Sequence, residues 1–144
     1  MEEIWKPVPT KWGLLASSWG RIKLPMKFVK MPNGGSRTYK PKPTFGVIRR
    51  ARKGAAHSYR AINSKAWGNI KIHQAVCEAF NGPKPFRTAV VIHIDENGHN
   101  NRPENLRWGT QKENLNSQRF LEYCRSRTGD NHPRAKSLKA RAAA

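Results

Sequence analysis

The stretch Val90–Asn114, VVIHIDENGHNNRPENLRWGTQKEN, decides the fold of this chain. It begins with Val90-Val91-Ile92, an apolar β-branched run that is typical of a buried strand. The run gives way to a polar loop from Asp95 to Glu104, dense in Asn, Gly and Pro, the residues that favour turns. The first half of the stretch therefore predicts a short strand that ends in a polar loop.

The second half of the stretch predicts a return strand and a helix. Leu106-Arg107-Trp108 has the composition of a short strand. Thr110 is followed three residues later by Glu113, a capping box in which each side chain bonds the other residue's backbone amide, and it starts a helix at about Gln111. The whole stretch thus predicts the order strand, loop, strand, helix.

Three polar residues stand at the ends of these elements. His93 comes where the first strand ends, Asn105 opens the second strand, and Asn114 lies in the first turns of the helix. A hairpin folded onto a helix brings such positions toward one cavity, so we expect a polar site there.

The order of these residues resembles a known family. The pattern H-x-D, followed by N-N-R-P-E-N-L-R-W and T-x-x-x-N, is similar to the HNH motif of phage homing and nicking endonucleases. The resemblance implies an α+β fold, with a small ββα-metal (HNH) core and a basic N-terminal extension rich in strands and loops.

The resemblance also implies roles, carried over by position. His93 falls on the general base, Asn105 on the asparagine that orients that base, and Asn114 on a metal ligand from the helix. The residue types suit phosphodiester hydrolysis, because an imidazole can deprotonate water near neutral pH. A divalent cation would stabilise charge on the phosphate and leaving oxygen, and oxygen ligands favour Mg²⁺ or Mn²⁺.

One position departs from the family pattern. Family members often have a metal-binding Asp directly before the base histidine, where this chain has Ile92, which has no lone pair. Loss of a metal ligand is expected to lower affinity or activity roughly 10–100-fold or more. Asp95 is predicted to be the compensating metal ligand, and His99 is a second candidate. The alternatives are that Asp95 only forms a turn and that His99 is a solvated loop residue.

The composition favours a nucleic-acid partner. The chain has 144 residues, with 28 Lys and Arg against 9 Asp and Glu, and its net charge of +19 calls for a polyanion such as double-stranded DNA. Cys77 and Cys124 have no CxxC partner, which favours two reduced thiols. No apolar run is long enough to span a membrane. We therefore expect a cytoplasmic protein (in the host cell if phage-encoded) with no membrane partner and no small-molecule substrate.

Residues 1–24 resemble the small module found ahead of phage HNH domains. Glu3, Trp5 and Lys6 match its E-x-W-K signature, and Ser17-Ser18-Trp19-Gly20-Arg21-Ile22 is similar to its S-N-x-G-R-V signature. Three tryptophans of this module are interpreted as small-core residues rather than as groups that stack on bases: Trp5, Trp12 and Trp19.

Residues 25–68 are predicted to be a DNA-binding region of short strands and loops. Residues 21–71 contain 14 Lys or Arg and no Asp or Glu, which favours a phosphate-contacting surface over a solvated face. Strands are predicted near Phe45–Ile48, Ser58–Ile62 and Asn69–Ile72, and the rest is predicted to be loop or arm. The predicted DNA-contacting residues are Arg21, Arg37, Lys40, Lys42, Arg49, Arg50, Arg52, Lys53 and Arg107.

Residues 69–125 are predicted to form the HNH core and residues 126–144 a disordered basic tail. The core begins with a helix over Ile72–Phe80, which Asn81-Gly82-Pro83 ends. The helix that starts at Gln111 is predicted to continue to about Arg125.

The sequence predicts a metal-dependent HNH DNA endonuclease of the homing type, which nicks duplex DNA as a monomer or weak dimer. An alternative hypothesis is an HNH-derived DNA-binding protein that no longer cuts, with a regulatory or architectural role, motivated by Ile92. A third hypothesis, an RNA-binding basic protein, requires aromatic side chains exposed among the charges.

Overall fold

The computed structural model describes residues 1–50, 57–129 and 133–143, and the N-terminal module forms its first sheet. The strands β1 (Trp5–Pro7), β2 (Leu15–Ser17) and β3 (Ile22–Lys23) pair antiparallel in that order. Leu14 and Ile22 are fully buried in the core beneath this sheet. Trp12 is 90% exposed, because it lies on the turn between β1 and β2, so its predicted place in a small core is wrong.

A two-stranded hairpin follows this sheet. The strands β4 (Lys27–Lys30) and β5 (Ser36–Tyr39) pair antiparallel, with Lys30 opposite Ser36, and every residue of both strands is exposed. The turn closes with Gly34 at a φ of 84°, a conformation that favours glycine. The sequence predicts only loop or arm here, because a hairpin that buries no face leaves no alternating apolar pattern.

The third sheet contains the strands predicted from the sequence. It has the order β6-β7-β8 and is antiparallel, with β6 at Val47–Arg50, β7 at Ser58–Ser64 and β8 at Gly68–Lys71. Each strand lies within three residues of its predicted place. Ala61 and Ile70 point from this sheet into the core, where they are 0% and 1% exposed.

Helix α1 (Ile72–Asn81) lies at the centre of the core. Its buried residues are Ile72, Ala75, Val76 and Cys77, and Ala79 and Phe80 pack partly buried against the same core. The helix ends at Gly82, where the indole Nε1 of Trp108 donates a 3.0 Å hydrogen bond to the glycine carbonyl. Helix α1 therefore ties the N-terminal sheets to the segment that follows.

The predicted order strand, loop, strand, helix is confirmed. Strand β9 (Val90–His93) pairs antiparallel with β10 (Leu106–Gly109), so that His93 lies opposite Leu106. A short 3₁₀ helix, Pro103–Asn105, leads into β10, and helix α2 (Gln111–Leu115) follows it. Both hydrogen bonds of the predicted capping box between Thr110 and Glu113 are present.

The C-terminal part differs from the prediction in two ways. The helix predicted from Gln111 to Arg125 is interrupted, because Ser117 caps a new helix, α3 (Gln118–Arg125), by accepting from the amide of Phe120. The tail predicted to be disordered contains helix α4 (Pro133–Ala142). The fold is α+β, as predicted. Within the described ranges, no helix has the length and apolar character needed to cross a membrane.

Candidate active site

His93 lies at the end of β9, and Asn101 holds its ring. The Nε2 atom of His93 lies 3.1 Å from Oδ1 of Asn101. Because a carbonyl oxygen only accepts hydrogen bonds, Nε2 carries the proton and Nδ1 keeps its lone pair. Burial lowers the pKa of His93 below its ordinary value, although the bond to Asn101 and the nearby Asp95 oppose this shift. The ring is therefore a neutral base near neutral pH.

The N-terminal module supports Asn101 from behind. Asn101 is 3% exposed, and Gly20, in the turn before β3, packs against its backbone. A Cβ atom on Gly20 would lie 2.7 Å from the Asn101 carbonyl carbon, and the φ of Gly20 is +77°. This position therefore requires glycine, and the loop that carries Asn101 depends on a residue about 80 positions away in the sequence.

Asn105 contacts the loop rather than the ring of His93. Its Oδ1 accepts from the backbone amide of Asp95 at 3.0 Å, and its Nδ2 donates to Asp95 Oδ1 at 2.8 Å and to the Asn100 carbonyl at 2.9 Å. Its backbone carbonyl accepts from the amide of Ile94, which follows His93. Among the described residues the ring's hydrogen-bond partner is Asn101, so Asn105 acts on His93 only through the backbone around it.

Both carboxylate oxygens of Asp95 are engaged within the loop. Oδ1 accepts from the amide of Asn97 and from the side chain of Asn105, each at 2.8 Å, and Oδ2 accepts from Asn100 at 2.7 Å. Partial desolvation raises the pKa of Asp95, but these hydrogen bonds outweigh it and the net pKa is lowered. These contacts are those of a turn-forming residue. His99, the other candidate, uses its Nε2 in a 2.7 Å hydrogen bond with Ser58.

His73, on the first turn of α1, stands edge-on to His93. The two ring centroids are 5.3 Å apart and the ring planes meet at 70°. Burial and the nearby His93 and Lys71 lower the pKa of His73 to about 3, so its ring stays neutral. Its Nδ1 atom is buried and has no hydrogen-bond partner among the residues described. The sequence gives no sign of this contact, since His73 and His93 lie on separate elements.

Of the three residues predicted to meet at one cavity, His93 and Asn114 line the same space, whereas Asn105 does not border it. A cavity of about 340 Å³ lies between β7, β9 and the two helices α2 and α3, and both residues border it together with His73 and Tyr59. A smaller cavity of about 60 Å³ is bordered by His93 and Asn114 and by four other residues: His57, Ile92, Glu96 and Ser117. Glu96 is the acidic residue at this small cavity, and no motif in the sequence singles it out.

The donors at the small cavity suit a hydrated divalent cation. Ile92 offers no donor, and its side chain is buried against Gly109. In the described part of the chain no three His, Cys, Asp or Glu side chains form a group that could enclose a metal ion. Asn114 and Glu96 are oxygen donors, however, and Mg²⁺ and Mn²⁺ take few protein oxygens while keeping several waters. The residues therefore fit a cation that is also held by water and by a phosphate ligand.

Four residues predicted to contact DNA are exposed and have no acidic partner in the described part of the chain, and the clearest pair lies on the hairpin β4–β5. Arg37 is on β5, where its guanidinium lies 5.4 Å from the centroid of the Tyr39 ring, and Lys40 follows the strand. Both are free to meet a large polyanion. These four residues are Arg37, Lys40, Lys42 and Arg50, and Arg107 is also exposed but forms an ion pair.

The remaining predicted DNA contacts are engaged or lie elsewhere. Arg21 forms an ion pair with Glu3 inside the N-terminal module, and Arg107 forms one with Glu113 at 3.2 Å. Arg49 is half-buried in β6. The other two predicted contacts lie outside the described residues: Arg52 and Lys53.

Comparison with known proteins gives the family of this site. Residues 71–116 match a family model described as HNH endonuclease. Residues 71–116 belong to the HNH endonuclease family. This HNH segment contains α1, both strands β9 and β10, and α2, and therefore His93, Asn105 and Asn114.

A solved structure and the curated proteins complete the comparison. The chain is similar to a structure described as "DNA binding and cleavage by the HNH homing endonuclease I-HmuI", with 23% identity and a TM-score of 0.46. The alignment covers 96% of this chain and 66% of that one, so this chain spans slightly less than two thirds of that endonuclease. No curated protein matches the sequence.

Proposed function

We propose that this protein is a metal-dependent HNH endonuclease that hydrolyses phosphodiester bonds in double-stranded DNA. The observation that carries the proposal is that one cavity is bordered by both His93 and Asn114, to which the resemblance assigns the base and a metal ligand. An imidazole with a free lone pair and an oxygen ligand at the same opening are what metal-assisted hydrolysis requires.

The mechanism assigns a separate task to each group. The Nδ1 atom of His93 accepts a proton from the attacking water, while Asn101 holds Nε2–H and so fixes the tautomer. Asn114 would hold a divalent cation, Mg²⁺ or Mn²⁺, and that cation would supply charge stabilisation at the phosphate and the leaving oxygen. Asn105 and Asp95 keep the loop closed beneath the base through their reciprocal hydrogen bonds.

Duplex DNA is the proposed substrate because of where the charge lies. Residues 21–71 contain no Asp or Glu, and their exposed cations include Arg37 and Lys40 on the hairpin β4–β5. Binding that releases the counterions of six to ten phosphates is expected to weaken roughly 10³–10⁵-fold as the salt concentration rises from 50 to 200 mM. One HNH site acts on one strand per encounter, so we propose that a monomer nicks and that two copies are needed to cut both strands.

A nicking assay on supercoiled plasmid tests this function. The wild-type protein is expected to produce open-circular plasmid with Mg²⁺ or Mn²⁺ and none with a chelator. His93→Ala should abolish nicking and leave DNA binding near the wild-type level, because the base acts only in the chemical step. Nicking by His93→Ala at the wild-type rate would contradict the assignment of the base.

A second candidate function is supported by Ile92. The buried isoleucine occupies the place where family members often have a metal-binding Asp, which favours an HNH-derived protein that binds DNA without cutting it. Under this alternative the plasmid stays supercoiled in every metal, while binding remains tight and salt-dependent.

A further inference from the structure

Glu96 brings a carboxylate to the cavity where position 92 provides none. Its side chain borders the small cavity of about 60 Å³ together with His93, Asn114 and Ile92. It also borders the neighbouring surface cavity, which it shares with His93 and Ile92. The adjacent Asp95, by contrast, borders neither cavity.

The backbone of Glu96 adopts a conformation that side-chain-bearing residues rarely take. Its φ is 57°, and among the described residues it is the one non-glycine position with a positive φ. Glycine, Asn or Asp would be the usual choice at such a position. Unfavourable backbone of this kind clusters at functional sites, which favours a role for this carboxylate beyond the turn itself.

The Glu96 carboxylate is also held in a fixed orientation. Its Oε1 accepts from the backbone amide of Gln118 and its Oε2 from that of Arg119, each at 2.8 Å, and the guanidinium of Arg119 donates to the Glu96 carbonyl. Each carboxylate oxygen has two lone pairs, so one on each oxygen is left for another partner. Metal-ligating carboxylates are commonly oriented by hydrogen bonds of this kind.

We propose that Glu96 is a ligand of the divalent cation that Asn114 holds, and that it replaces the acidic ligand missing at position 92. This inference rests on the proposed function. One carboxylate and one amide oxygen, completed by waters and a substrate phosphate, make the sparse coordination that Mg²⁺ and Mn²⁺ use. The loss of an acid before the base histidine is thereby offset by an acid three residues after it.

Binding of Mn²⁺ alone to the full chain tests the proposal without relying on cleavage. Mn²⁺ affinity is measured by the loss of the free-ion paramagnetic resonance signal for wild type, Glu96→Gln and Glu104→Gln. Glu104 is an exposed acid of the same segment, so Glu104→Gln removes the same charge away from the cavity. We expect Glu96→Gln to weaken Mn²⁺ binding roughly 10–100-fold and Glu104→Gln to change it by less than about threefold. Equal affinities for the two variants would overturn the proposal and leave Glu96 as only the cap of α3.

A measurement on the wild type covers the case in which Glu96→Gln does not fold. Mn²⁺ broadens the amide resonances of nearby residues, and we expect those of Glu96, Asn114 and Gln118 to disappear first. Broadening centred on another part of the described chain would show that Glu96 is not a ligand of the cation. If the wild type nicks DNA with Mn²⁺ and Glu96→Gln binds Mn²⁺ as tightly as the wild type does, this inference fails and the proposed function stands. If wild type neither binds Mn²⁺ nor nicks, the proposed function fails with it.

Discussion

Asn101 Oδ1 lies 3.1 Å from His93 Nε2, and this contact fixes which nitrogen of the ring can act as the base. The same asparagine is 3% exposed and lies against the N-terminal module through Gly20. The tautomer of the base therefore depends on packing between the HNH segment and a module that is distant in sequence.

Replacement of Asn101 is expected to reduce catalysis more than binding. Asn101→Ala removes the acceptor of Nε2–H, so the ring can rotate or change its tautomer, and nicking should fall roughly 10–100-fold, as it does when an orienting partner is lost. Asn105→Ala breaks three loop hydrogen bonds instead and should lower stability by about 1–3 kcal/mol. Nicking rates and thermal unfolding of both variants check this division. Full activity of Asn101→Ala at unchanged stability would exclude the orienting role.

The packing of Gly20 gives a second prediction with a matched control. Gly20→Ala and Gly34→Ala each place a side chain at a positive φ, 77° and 84°, which is expected to cost about 1–2 kcal/mol. Only Gly20 has a close neighbour, since a Cβ on Gly34 meets nothing within 4 Å. Gly20→Ala should therefore also displace Asn101 and lower the nicking rate of the folded protein. Equal nicking by the two variants would show that the module does not support the base.

Burial of the His73 ring, together with the nearby His93 and Lys71, makes stability depend on pH. The folded-state pKa of His73 is about 3, whereas an unfolded histidine has its ordinary value near 6.5. As the pH falls below 6.5, His73 becomes protonated in the unfolded chain, whereas in the folded chain it stays neutral down to about pH 3. The free energy of unfolding should therefore fall with decreasing pH, with this residue contributing up to about 1.4 kcal/mol per pH unit.

A variant without the titrating group isolates this contribution. His73→Phe keeps an aromatic ring beside Tyr59 and His93 but has no ionisable nitrogen. Denaturant unfolding between pH 4.5 and 7.5 should show a shallower decline for His73→Phe than for wild type. Parallel curves for the two proteins would mean that the His73 ring is solvated and titrates normally.

The parts predicted correctly from the sequence are those in which local pattern and tertiary structure agree. The apolar β-branched run Val90-Val91-Ile92 and the capping box at Thr110 each specify an element by themselves, and both elements are present. Ser117 ends α2 early, although the apolar stripe from Leu115 to Cys124 suggests a continuous helix. Trp12 has the large apolar side chain of a core residue but lies on a turn, where none of the described elements covers it.

The site was predicted less completely than the fold. Position in the motif is enough to place His93 and Asn114 at one cavity. The contact of Asn101 with the base, and that of Glu96 with the start of α3, depend on how the ten-residue loop folds back on itself. A loop that is polar throughout gives no periodic signal of which side chains face inward.

The hairpin β4–β5 provides the last prediction, which concerns the DNA surface. Arg37→Ala combined with Lys40→Ala removes two exposed cations, and the slope of log binding constant against log salt should decrease by about two. Arg21→Ala is the matched control, because Arg21 is already paired with Glu3 in the N-terminal module. That variant should lower stability and leave the slope near that of wild type. If Arg21→Ala changes the salt slope and the hairpin variant does not, the DNA-binding surface lies on the N-terminal module rather than on the hairpin.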